Sequence, residues 1–123
     1  MLIRIVLRVA AALLIAVTCG AVPAKAHVVL VESSPAANAT VSGPAVDIRL
    51  RFNSRLDHVR SSISLIAADG RTDRVAMVED APPDMLVAHV AGIAPGHYRL
   101  RWQVLAVDGH ITRGDVEFTV NSP

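Results

Sequence analysis

The clearest signal in the chain is an alternation of apolar and polar side chains with period two. Val46-Asp47-Ile48-Arg49-Leu50-Arg51-Phe52 predicts a half-buried strand with Val46, Ile48, Leu50 and Phe52 turned inward. Gly96 to Val104 repeats the pattern, with Tyr98, Leu100, Trp102 and Val104 sharing one face. His27 to Ser33, Ile63 to Ile66, Met85 to Val90 and Val116 to Val120 are short apolar, β-branched stretches that predict further strands. Asp69-Gly70 is a hairpin signal, which makes Arg74 to Val78 the partner of the Ile63 strand. Ser34 to Thr40 is turn chemistry, and Pro82-Pro83-Asp84 forces a loop. Neither a helical period nor an internal repeat is present. About seven short strands between Gly, Pro and Asp turns predict an all-β, two-sheet sandwich of immunoglobulin-like type.

The first residues follow a different rule. Arg4 and Arg8 precede the apolar run Val9 to Val17, which is shorter than the roughly 20 residues a spanning helix needs. Gly20-Ala21-Val22-Pro23 breaks that run, and Ala24-Lys25-Ala26 supplies a small-x-small cleavage pattern. Residues 1–26 are therefore expected to be a signal peptide, with a mature domain over 27–123, exported to the periplasm. A lipoprotein signal ending at Cys19 fits poorly, since Ala16-Val17-Thr18 lacks the expected Leu and the small residue next to the Cys.

Cleavage changes the composition. Removing 26 of the 123 residues leaves 97, the size of one small domain. Arg4, Arg8 and Lys25 leave with the signal, so 12 basic residues fall to 9 against 11 acidic ones, a net charge of −2. No basic patch then points to nucleic acid or an anionic membrane. The one Cys also leaves, so the mature chain can form neither a disulfide nor a thiolate metal site. Its fold must rest on a hydrophobic core.

Two features could carry chemistry. A chain cut before His27 presents an α-amine and an imidazole on one residue, which can chelate a single ion. An α-amine titrates near pH 8, so a metal must displace its proton and affinity falls in acid. The second feature is Asp108-Gly109-His110. Positions i and i+2 of an extended segment face the same way, so a carboxylate and an imidazole can converge. His27, Asp108 and His110 together offer three nitrogens and one oxygen, a set suited to tetragonal Cu(II). Asp108 could instead orient an imidazole from outside the metal. The plain alternative is a hairpin at Asp108-Gly109 and solvent-exposed histidines. His89 and His97 read as exposed strand residues, and Asp57 or His58 could reach the metal. The arginine pairs Arg49/Arg51 and Arg99/Arg101 read as a solvated sheet face or a docking surface for an acidic partner.

Those residues, in order, resemble the CopC family of periplasmic copper-resistance proteins. The matching pieces are Ala26-His27, Leu30-Val31-Glu32-Ser33-Ser34-Pro35-Ala36, Ile48 to Phe52, Ala68-Asp69-Gly70, Pro95-Gly96-His97-Tyr98, Arg101 to Val104 running into Asp108-Gly109-His110, Gly114, and Phe118-Thr119-Val120. The resemblance implies a seven-stranded Greek-key sandwich and a Cu(II) site built from His27, Asp108 and His110. It also implies a non-enzymatic, monomeric copper carrier or buffer. Its partner would be a membrane copper transporter of the CopD type on a separate chain, because the chain reaches Pro123 without a second apolar span. Two departures stand out. Ser54 occupies the place where many members have an acidic residue near the site. Only Met77 and Met85 remain after cleavage, so a dedicated Cu(I) site is not expected. The competing classes are a metal-free immunoglobulin-like module and a copper oxygenase using an N-terminal histidine brace. The single Tyr, expected in the core, argues against the oxygenase.

Overall fold

A computed structural model of the chain describes residues 27–122. The segment read as a signal peptide lies outside them. Eight strands run in order: β1 Leu30–Ser34, β2 Ala39–Ser42, β3 Val46–Phe52, β4 Ser62–Ala67, β5 Thr72–Val75, β6 Met85–Val90, β7 Gly96–Leu105 and β8 Ile111–Asn121. They form a three-stranded sheet, β1-β3-β6, and a five-stranded sheet, β2-β8-β7-β4-β5. The chain crosses between the sheets after β1, β2, β3, β5 and β6, as expected for an immunoglobulin-like sandwich.

The alternating strands form as their patterns predict. Val46, Ile48, Leu50 and Phe52 of β3 are buried, as are Tyr98, Leu100, Trp102 and Val104 of β7. The two rows meet between the sheets, where the rings of Phe52 and Trp102 pack edge to face with centroids 5.1 Å apart. Burying each large side chain of this kind contributes about 1.5–3 kcal/mol. The outward residues of the same strands pair across the sheet surface. Arg51 bonds Glu32, Arg99 bonds Glu117, and Arg101 bonds Asp115. Tyr98, the third residue of β7, donates its hydroxyl to the carbonyl of Ala94 at 2.6 Å, the tyrosine corner typical of such sandwiches.

Three expectations change. There are eight strands among the described residues, not seven. The extra one is β2, which falls partly in the stretch read as a turn and pairs in parallel with β8. Its four residues alternate apolar and polar but are too few to signal a strand alone, and a long-range partner makes the strand. The partner of β4 is Thr72–Val75, earlier than Arg74 to Val78. A three-residue loop fixes the register at Ile66↔Thr72 and Ile63↔Val75. Beyond Val75 the chain turns to the other sheet, where Met77 bridges Ala88 and Val78 donates to Val87. Finally, β8 begins at Ile111, well before Val116, because all ten residues of β7 pair with it.

One end of the sandwich gathers residues distant in sequence. The start of β1 lies beside the end of β3 through Leu30↔Phe52. The loop after β3 is tied to the β7–β8 turn by a Leu56↔Ala106 bridge and a bond from the Asp57 amide to the Leu105 carbonyl. His27, Asn53 and the Asp108–His110 segment therefore belong to the same end. The Ala68–Gly70 turn and Tyr98 belong to the other.

Candidate metal centre

The β7–β8 connection is a three-residue hairpin loop. The Ala106 amide donates to His110 O, and the Gly109 amide donates to Ala106 O, each at 2.9 Å. Gly109 sits at φ 91°, where a side chain would be strained. The segment is thus a tight turn, which corrects the expectation that an extended chain aligns positions 108 and 110. The carboxylate and the imidazole converge nonetheless, for another reason. Asp108 Oδ1 accepts the backbone N–H of His110 at 3.1 Å, and Asp108 Oδ2 lies 3.0 Å from His110 Nδ1.

The turn itself is generic. At the opposite end, Ala67 to Arg71 repeats it, with the Ala67 amide on Arg71 O, the Gly70 amide on Ala67 O, and Asp69 Oδ1 accepting the Arg71 amide. The two turns differ at the residue before the aspartate, Ala68 there and Val107 here, and at the residue after the glycine, Arg71 there and His110 here. The Asp-Gly pair makes the turn, and the histidine gives it a metal donor.

Both side chains of the pair are well exposed, 65% for His110 and 54% for Asp108. The hydrogen bond from the His110 side chain, followed by that from the His110 backbone, holds the Asp108 carboxyl below the usual carboxylate range. An imidazole that donates from Nδ1 to Asp108 keeps its Nε2 lone pair free for a metal.

The other predicted donors are placed as follows. His27 is exposed at the same end, and its carbonyl accepts the side-chain amide of Asn53 at 3.2 Å. Among the described residues, no three His, Cys, Asp or Glu side chains lie close enough to hold one ion, so the structure assembles the Asp108–His110 pair and not a complete triad. Asp57 is occupied locally, accepting the Arg60 amide on Oδ1. His58 Nε2 lies 2.7 Å from the Met85 carbonyl. Ser54 bonds only its neighbour's carbonyl, Arg55 O. His89 lies 2.7 Å from Asp47 across β3 and β6, and His97 lies beside Thr119 and Glu117 on the outer face of β7 and β8.

One residue escaped the sequence reading. Asn53 receives the Val29 amide on Oδ1 at 2.8 Å, donates to His27 O from its own amide group, and donates from its backbone N–H to Val29 O. An Asn after a strand reads only as a turn residue, and nothing local reveals a partner 26 positions away.

Comparison with known proteins places the fold in a family. The CopC domain model matches residues 30–121. The chain belongs to the CopC family. It is 33% identical over 121 residues to copper resistance protein C of Xanthomonas campestris pv. juglandis, covering 87% of this chain and 90% of that protein. Protein YobA of Escherichia coli K12 is 29% identical over 98 residues, 77% of this chain and 79% of its own length. The crystal structure of CopC from Methylosinus trichosporium OB3b superposes with a TM-score of 0.69 at 33% identity, over 78% of this chain and 95% of that one. PcoC, a methionine-rich copper resistance protein of Escherichia coli, superposes with a TM-score of 0.65 at 28% identity, over 78% and 100%. Among CopC proteins, this chain lacks that methionine richness, with three Met in its full length.

Proposed function

We propose that this CopC-family chain is a periplasmic Cu(II) carrier or buffer in copper resistance and homeostasis. It binds the ion through His27, Asp108 and His110 and does not act as an enzyme. The Asp108–His110 pair carries the reading, since it presents an oriented imidazole and a charged carboxylate at an exposed turn. Copper is the cargo. Cleavage before His27 would add an amine beside the imidazole His27 already holds at the same end, giving the nitrogen-rich donor set Cu(II) favours. Asp108 orients His110 through Nδ1 in the copper-free protein and stays available as an oxygen donor. An exposed site suits a protein that hands its ion on, to a membrane transporter or another copper protein.

The single Tyr gives an oxygenase no axial ligand, because its hydroxyl is bonded to Ala94 at the far end of the sandwich. One observation favours a metal-free module instead, namely that the described residues hold no three-donor cluster. Isothermal titration of the chain beginning at His27 separates the two readings. The expected result is one Cu(II) per chain, with affinity at least about tenfold weaker in His110→Ala. Equal binding by both chains, or by neither, sinks the copper reading.

A further inference from the structure

An N-terminal residue is ordinarily the least ordered part of a domain, and fixing it costs backbone entropy. A copper site that takes its amine and one imidazole from such a residue would meet that cost at the moment of binding. This chain has a device that meets it beforehand. Regular pairing of β1 with β3 starts only at Leu30. Ahead of it, Asn53 continues the ladder by a side chain. Its Oδ1 takes the Val29 N–H, its Nδ2 gives to the His27 carbonyl, and its backbone N–H gives to the Val29 carbonyl. Val28, between the two held residues, is buried in the core.

We infer that Asn53 is a positioning residue for copper, a clamp that holds His27 at the end of the sandwich where Asp108 and His110 stand; this rests on the Cu(II) reading above. Two features argue for the assignment. None of the clamp's bonds uses the nitrogen of His27, so cleavage before His27 leaves the clamp whole and the amine free. The loop that carries Asn53 is also the loop joined to the β7–β8 hairpin, through Leu56 to Ala106 and Asp57 to Leu105. The Asn53 side chain and the backbone bonds of its loop thus relate the two halves of the donor set. The neighbouring Ser54 makes no such contact, its hydroxyl reaching only Arg55 O.

The test uses the chain beginning at His27. In the copper-free wild type, nitrogen-15 relaxation and amide exchange are expected to show Val29 as ordered as the body of β1. A freely mobile Val29 in that protein overturns the clamp whether or not copper binds. Asn53→Ala is expected to release residues 27–29, to weaken Cu(II) about tenfold, and to leave part of the bound copper with fewer nitrogen ligands by paramagnetic resonance. Ser54→Ala is expected to change none of these. Unchanged affinity and an unchanged nitrogen count in a folded Asn53→Ala chain overturn the proposal. Should the wild type bind no Cu(II) at all, the copper reading has failed, and the copper-free order of Val29 still decides whether Asn53 holds the terminus.

Discussion

At the scale of single residues, Asp108 and Gly114 are under opposite kinds of constraint. Among the described residues, Asp108 is solvent-exposed and bonded only to His110, so its depressed titration reflects that pairing and contributes little to the fold. The sign follows from the direction of the shift. A carboxylate held low in the folded protein favours folding above the ordinary range near 3.9, and that contribution disappears as pH falls through the lower folded value. Asp108→Asn should therefore leave the melting temperature almost unchanged between pH 7 and pH 5, with any wild-type advantage vanishing in stronger acid. Calorimetry over a pH series measures this. The same variant should weaken Cu(II) by about 10- to 100-fold, the usual effect of removing a carboxylate that orients a ligating histidine. Gly114 is constrained by packing instead. It pairs with Trp102 across β7 and β8, and a Cβ there would overlap the indole at Cε2 and Cζ2. That ring is buried and packed on Phe52, so it cannot swing aside. Gly114→Ala should cost about 1–3 kcal/mol in a urea titration, with copper affinity of the folded fraction unchanged. The sequence displays Gly114 as one piece of the CopC resemblance without a reason, and the reason is the ring on the neighbouring strand.

At the scale of elements, legibility tracks how far a strand depends on itself. Strands β3 and β7 carry alternating apolar rows, and their residues fall on the predicted faces. Strand β2 has two half-buried and two exposed residues and exists because the outer edge of β8 offers it a parallel partner. A local pattern cannot reveal such a partner. The Asp-Gly turns lie between these cases. Their chemistry predicts hairpins, and both form, but only the structure shows that the loop of three residues aligns the Asp108 carboxylate with the following histidine. The convergence of 108 and 110 was thus foreseen for the wrong geometry. Tyr98 supplies a test at this scale. Its hydroxyl anchors the crossing from β6 into β7 on the Ala94 carbonyl. Tyr98→Phe should lose about 1 kcal/mol of stability, read as a lower denaturant midpoint with an unchanged slope. The corner stands at the far end from His110, so Cu(II) binding should be unaffected.

At the scale of the whole molecule, the sandwich acts as a spacer and a frame. A core sealed by Phe52, Trp102 and Phe118 makes the two sheets rigid enough to bring three segments together at one end. Those segments are the chain start, the loop after β3 and the β7–β8 turn. The donor types at that end were readable from sequence. Their assembly was not, because His27 and His110 are related only through Asn53, Leu56 and Asp57, residues whose side chains or backbone bonds carry no sequence signature. Export would then have a chemical role, since processing at Ala26 is what would turn the His27 nitrogen from a peptide amide into an amine ligand. The most direct measurement is paramagnetic resonance of one equivalent of Cu(II) on two chains, one beginning at His27 and one retaining Ala26. A tetragonal spectrum with several nitrogen ligands in the first chain, lost or clearly altered in the second, is the predicted result. Identical spectra and identical affinities in the two chains would contradict it.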